Sequence, residues 1–199
     1  CCRSPSVRAT NWLLEKQKTG LKIGIVSLAG FIGLRTYSFI NADMQQRIIV
    51  YNVSRKSAVD FISGRHCYFV GDSSLQQDGP EKDFAIRPAR ILYRTTPARS
   101  LATLCAHDPF MSFGNKHILL LDHTVAFVPQ ANKPVIDLLV LSKNPTLYIK
   151  DLAAAMTIRQ VVTDGSVSAR KAAWWKKDCE ALHIPLHEVR AEGAFVMDH

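Results

Sequence analysis

The sequence predicts a layered α/β domain of about 150 residues behind a single apolar helix. Three observations predict it. Residues 23–34, IGIVSLAGFIGL, form an uncharged apolar run; residues 47–72 break into short segments rich in branched and aromatic side chains; and from residue 135 strands and helices alternate. At 199 residues the chain can hold one well-buried domain.

The apolar run alone is shorter than the roughly 20 residues that a spanning helix needs. Lys22 and Arg35 can snorkel from its ends, and Tyr37, Phe39 and Ile40 prolong it, so a tilted span from about Gly20 to Ile40 is expected. Lys16, Lys18 and Lys22 precede the span, and the positive-inside rule then places the amino side in the cytoplasm and the domain outside. The expected organisation is a juxtamembrane segment, 1–19, a transmembrane helix and linker, 20–46, and a folded domain, 47–199. The chain starts at Cys1 rather than Met, so a fragment or processed chain with further segments upstream is expected.

Within the domain, RIIVYNV (47–53), SAVDFI (57–62) and HCYFVGD (66–72) read as strands separated by Ser-Arg-Lys and Ser-Gly-Arg breaks. SSLQQDGPEKDFAI (73–86) is polar and reads as a connection. RPARILYR (87–94) is expected as a helix, and SLATLCA (100–106) and KHILLLD (116–122) as strands. VIDLLVLS (135–142) is nearly all apolar, the signature of a strand covered on both faces. A helix over 147–156, a strand over 159–163 and a helix over 168–182 follow, and HEV (187–189) with GAFVM (193–197) closes the chain.

The net charge of +8 is uneven. Residues 1–46 carry Arg3, Arg8, Lys16, Lys18, Lys22 and Arg35 against Glu15 and Asp43, half of the excess. The globular part is only mildly cationic, enough to tolerate a polyanion without announcing one. Cys1, Cys2, Cys67, Cys105 and Cys179 show no C-x-x-C pair and no zinc-ribbon spacing, which removes those two classes. Three of them lie in the globular part, too many for complete pairing and too few for two bridges, and they are read as small buried apolar residues.

Candidate chemistry is sparse. The loop after 135–142 sits where ligands bind in α/β proteins, yet it offers no histidine and no carboxylate before Asp151. His183 and His187 have H-x3-H spacing, but Pro185 breaks the helix that would align them. Asp72, Asp122, His123 and Asp164 follow strand segments and are read first as turn residues, with Ser166 or Ser168 as a helix cap. If folding gathered these four, they would make a non-standard metal set for a phosphodiesterase. Arg87, Arg90 and Arg94 fall at i, i+3 and i+7, and Lys171, Lys176 and Lys177 flank Trp174 and Trp175. Both groups are candidates for phosphate contact, with one indole in the core and the other free to stack on a base.

RIIVYNVSRKSAVDF resembles the opening of the metallo-β-lactamase-like domain at the carboxyl end of ComEC competence proteins, where a strand runs into a D-V-G-Q-G-D turn. Asn52-Val53-Ser54-Arg55-Lys56-Ser57 stands at that turn here. IDLLVLSKNPTLYIKDL is similar to that family's L-x-L-[ST]-H-x-H-x-D-H-x-x-G-L segment, with Lys143, Pro145, Leu147 and Tyr148 where His, His, Asp and His would bind metal. RPARILYR, TDGS, WKKDCE and EGAFV extend the likeness to the form of Bacteroidetes-type bacteria, over about residues 20–198.

The resemblance implies a degenerate metallo-β-lactamase-like αββα sandwich preceded by one membrane-anchor helix. It also implies a place in the bacterial inner membrane, with the globular domain periplasmic and a channel domain of the same protein upstream. DNA would be the partner, contacted through Arg87, Arg90, Arg94, Lys171, Lys176 and Lys177. No catalytic residue, metal or cofactor is expected, because lysine, proline and leucine cannot grip a divalent ion and one tyrosine cannot make a site.

Overall fold

Residues Pro5–Met44 form one helix, α1, whose segment Lys22–Met44 has a mean hydropathy of 1.5 and buries nothing. This computed structural model describes residues 5–125, 127 and 132–198, with side chains from residue 22 onward. Cys1, Cys2 and Arg3 lie outside the described residues, as do the side chains of Arg8, Lys16 and Lys18. By length and composition α1 can cross a membrane. The chain divides into two units, Cys1–Asp43 and Met44–His199.

The second unit is built on two sheets. Strands β1 (Gln46–Val50), β2 (Ala58–Ser63) and β3 (His66–Gly71) form an antiparallel meander. A 3-10 turn at Ser73–Leu75, helices α2 (Pro80–Ala85) and α3 (Arg87–Leu92), and β4 (Thr96–Pro97) follow. Strands β5 (Leu104–His107), β6 (Phe110–Phe113) and β7 (Lys116–Leu121) form a second meander. The chain then alternates: β8 (Val135–Ile136), β9 (Leu138–Leu141), α4 (Ile149–Ala155), β10 (Thr157–Ile158), β11 (Val161–Thr163) and α5 (Ala169–Leu182). Strand β12 (Leu186–Glu188), helix α6 (Val189–Glu192) and β13 (Phe195–Asp198) end it. The five-stranded sheet runs β13-β1-β2-β3-β4, the six-stranded sheet β12-β11-β9-β7-β6-β5, and β8 pairs with β10.

Three apolar clusters order the layers. Ile49, Tyr51, Ile62 and Cys67 on one face of the five-stranded sheet pack on Leu75 and Ile86 beneath α2 and α3. Its other face, with Ile48, Val50, Val59 and Phe61, meets Phe113, Ile118, Leu138 and Val140 of the six-stranded sheet. The far face of that sheet, with Leu119, Leu139, Leu141 and Val161, is covered by Ile149 and Leu152 of α4 and by Ala172, Trp175 and Cys179 of α5. The layers are therefore helix, sheet, sheet, helix, as expected. Strand period 2 produces this arrangement, because successive side chains of one strand feed two different cores. Each large apolar side chain so buried is worth about 1.5–3 kcal/mol.

The apolar run 135–142 is interrupted at Asp137, whose carboxylate accepts from the His117 N–H at 3.0 Å and from Arg159 Nη1 at 2.9 Å. Residues 73–86 are more than a connection. Pro80 at the first turn, with Glu81 and Asp83, starts α2. The stretch 100–106 is extended only from Leu104, and the β6 hairpin and α6 carry no periodicity long enough to read. Cys67 and Cys179 are buried, with their thiols pushed up by burial, Cys179 to about 12; Cys105 is exposed, so the expectation of burial fails for it.

Candidate functional site

Strands β7, β9 and β11 are parallel, and their last residues, Leu121, Leu141 and Thr163, lie in register. The next residues, Asp122, Ser142 and Asp164, therefore emerge side by side at the carboxyl edge of the sheet, the usual ligand edge. From the other sheet, Asp72 follows β3, and its carboxylate accepts from the Ser57 N–H at 2.9 Å. Contacts of Lys143 with both Asp72 and Asp122 bring the strand ends of both sheets to one edge.

Asp164 is fully buried and points at hydroxyls rather than outward. Ser142 Oγ donates to its Oδ2 at 2.6 Å, and both the N–H and Oγ of Ser166 donate to its Oδ1. Ser57 Oγ lies 3.2 Å from Ser142 Oγ, joining the two sheets. Burial pushes the Asp164 carboxyl above the usual range, against the pull of the hydroxyls. Gly165 lets this turn approach the other sheet: a Cβ there would stand 2.1 Å from the Val53 carbonyl oxygen.

Lys143 and Asn144 both adopt the left-handed conformation, φ 54° and 59°, and so turn the chain back over the edge. The turn sets Lys143 Nζ 3.1 Å from Asp122 Oδ2 and 3.7 Å from Asp72 Oδ1. His123 Nδ1 bonds the second Asp122 oxygen at 2.6 Å. That bond, with Lys143 adding to it against burial, holds the Asp122 carboxyl below the ordinary range. Lys143 is correspondingly held above the lysine range by its bond to Asp122 and by the charge of Asp72. One ammonium thus sits between two strand-end carboxylates.

Metal chemistry does not fit this arrangement. Among the described residues no three His, Cys, Asp or Glu come together as a cation site. Asp72 and Asp122 share the exposed ammonium of Lys143, and Asp164 is turned toward hydroxyls. Of the other positions that the resemblance sets against metal ligands, Leu147 packs on the α4–α5 core, its carbonyl accepting from Trp175 Nε1 at 3.1 Å, and Tyr148 is 56% exposed at the start of α4. The Pro145 carbonyl accepts from Lys171 Nζ at 2.6 Å. His183 ends α5 in the left-handed conformation and His187 reaches the Gly193 carbonyl from β12.

The six basic candidates separate. Arg90 Nε and Nη2 each reach an Asp60 oxygen at 2.9 Å, and the guanidinium is 12% exposed over a fully buried carboxylate. Arg94 is not on the helix, because α3 ends at Leu92 and Arg94 has φ 53°. The expected stripe of Arg87, Arg90 and Arg94 is therefore not a helix face: one member is internal and one lies past the helix end. Lys171 holds the Asn144 and Pro145 carbonyls, both at 2.6 Å. Arg87, 67% exposed, pairs with Asp83, and Lys176 and Lys177 lie exposed on α5.

Trp175 is 3% exposed and Trp174 56%, so the indoles divide between core and surface. Arg170, one turn before Trp174, stacks over its ring at 5.5 Å, and Lys150 lies 5.0 Å over Tyr148. Arg170 and Lys150 escape a reading by charge clusters, although the i, i+4 spacing of Arg170 and Trp174 signals the first contact. Ser168 caps α5, its hydroxyl accepting from the Lys171 N–H, while Ser166 serves the Asp164 turn.

Residues 48–199 match the family model described as the ComEC C-terminal domain. No curated protein and no solved structure matches the chain.

Proposed function

The chain belongs to the ComEC C-terminal domain family, and on that premise we propose that it is a non-catalytic, membrane-tethered module that guides DNA during uptake. The observation that carries this reading is the ammonium of Lys143 between Asp72 and Asp122. A hydrolase of the expected class needs cations that lower the pKa of bound water and clamp phosphoryl oxygens. Here two of the strand-end carboxylates face the exposed ammonium of Lys143, and the third, Asp164, is held by hydroxyl bonds.

The α4–α5 surface supports the DNA part. Trp174 and Tyr148, both 56% exposed, each carry a cation over the ring, and Lys176 and Lys177 extend the positive surface. Aromatic faces beside cations suit single strands, since stacking accepts any base while phosphates meet the positive charge. Apolar Lys22–Met44 supports the tether, and the basic residues before it favour an outer-side domain.

The test uses the full chain in lipid nanodiscs with a single-stranded oligonucleotide. Binding should weaken steeply with salt, and Lys176→Glu with Lys177→Glu should weaken it and flatten the slope. Binding unchanged by the double substitution removes this surface. Stoichiometric zinc or manganese with nuclease activity lost on Asp122→Ala refutes the non-catalytic reading.

A further inference from the structure

We infer that the cavity beside Tyr148 receives one base of a bound single strand and selects guanine, which rests on reading the α4–α5 surface as a contact for single-stranded DNA. The cavity measures about 410 Å3 and opens between the segment that follows β7 and the start of α4. That volume lies within the ordinary range of small-ligand sites, about 300–1,000 Å3. Phe127, Tyr148 and Leu152 supply aromatic and apolar walls, the surroundings that the faces of an unstacked base require.

The polar lining selects the base. Thr124, Thr146 and Asp151 are exposed and line the same cavity. The Asp151 carboxylate has no hydrogen-bond or ion-pair partner among the described residues, and in its ionised form it only accepts. Thr124 Oγ1 accepts from the Thr146 N–H at 2.9 Å and keeps its own proton to donate. The Watson–Crick edge of guanine carries two adjacent N–H donors beside a carbonyl oxygen. A carboxylate takes both donors at once, and a threonine hydroxyl donates to the carbonyl. Cytosine and adenine set a ring-nitrogen acceptor beside their amino group, and thymine flanks its one N–H with two carbonyls, so each turns an acceptor toward the carboxylate. Buried polar groups left unpaired in this way are what make such a site discriminate.

The wall that carries Tyr148 is fastened along α5. Lys171 Nζ holds the Asn144 and Pro145 carbonyls, Trp175 Nε1 donates to the Leu147 carbonyl, and Asp178 accepts from the Ile149 N–H at 3.2 Å. Trp174 lies between Lys171 and Asp178 on that helix, so a strand stacked on its indole is led along the seam that carries Tyr148. Lys150 Nζ, 5.0 Å over the Tyr148 ring, offers a cation to the phosphate of the inserted nucleotide. Aromatic wall, unpaired carboxylate and flanking ammonium thus meet at one opening.

The test measures binding of thymine oligonucleotides of equal length to the full chain in lipid nanodiscs, one strand all thymine and the others with a single central guanine, hypoxanthine or cytosine. Guanine should tighten binding several-fold and cytosine should not. Hypoxanthine, which lacks the guanine amino group, should lose most of the gain. Asp151→Asn keeps the shape of the side chain and should abolish the guanine preference, while the all-thymine strand binds no more weakly because a negative charge beside the phosphates is gone. No binding of any strand overturns the DNA reading, and this inference with it. Equal binding of the four strands overturns the guanine site and leaves the DNA reading intact. A preference that survives Asp151→Asn, or hypoxanthine binding as tightly as guanine, overturns the two-donor contact and the inference. Asp151 is exposed, and circular dichroism verifies that the variant folds.

Discussion

Arg90 forks onto Asp60, Nε to one carboxylate oxygen and Nη2 to the other, both at 2.9 Å, while Tyr51 donates its hydroxyl to the same carboxylate at 3.0 Å. Burial of Tyr51, with the negative charge of Asp60 beside it, raises the hydroxyl far above the ordinary tyrosine value, so it stays a donor. The pair ties α3 to the middle strand of its sheet. Arg90→Ala would strand a buried carboxylate and should cost about 3–5 kcal/mol in urea unfolding. Arg90→Lys should recover little, because an ammonium cannot supply the fork. Tyr51→Phe should cost about 1 kcal/mol. A loss under 1 kcal/mol in Arg90→Ala would show that the pair does not hold the helix.

The Lys143–Asp122 contact predicts two limbs of pH dependence. The Asp122 carboxyl is depressed, so its stabilisation is present above the ordinary aspartate value of 3.8 and disappears as pH falls through the lower folded value. Lys143 is raised, so its stabilisation is present below 10.5 and disappears as pH rises through the higher folded value. Lys143→Met should abolish the alkaline limb and shrink the acid one, where His123 still bonds Asp122. Both side chains are more than a third exposed, so the neutral-pH loss should be only about 0.2–1 kcal/mol and fall with salt. Unfolding midpoints across pH measure both limbs.

Gly165 and the Val53 carbonyl set how closely the two sheets approach at the site. With a Cβ 2.1 Å from a backbone oxygen, Gly165→Ala must move one of two loops, and about 1–3 kcal/mol is expected. Because Arg55 N–H also donates to the Gly165 carbonyl at 3.0 Å, the shift should reach the 52–57 turn. Thermal unfolding and amide exchange at Arg55 test it, and an unchanged stability would deny the close approach.

Trp174 and Trp175 should behave oppositely. Trp175→Ala removes a core indole and a hydrogen bond to Leu147, and should cost about 3–5 kcal/mol of stability. Trp174→Ala should change stability by less than about 0.5 kcal/mol and weaken single-strand binding by about 1–3 kcal/mol. Loss of binding without loss of folding is the outcome that separates surface from core.

The strands 58–63, 66–71 and 116–121, and α5, were legible because their period lies within a few neighbouring residues. The αββα layering followed from the resemblance, and the clusters around Phe61, Leu119 and Ile86 are what realise it. Arg90 as a structural cation was not legible, because its partner Asp60 lies 30 residues away and meets it through β2–β3 pairing. Nor was the bridging role of Lys143, since Asp72 and Asp122 belong to different sheets.

By itself the sequence determined which atoms could bind a cation. It placed lysine, proline, leucine and tyrosine at 143, 145, 147 and 148, and no fold adds donor atoms to a side chain. Only the tertiary structure decided which charges are used internally and which face outward. Register and layer stacking turn Arg90 and Lys171 inward and leave Trp174, Arg94 and Lys177 at the surface, because contacts between distant residues depend on how sheets align rather than on local order.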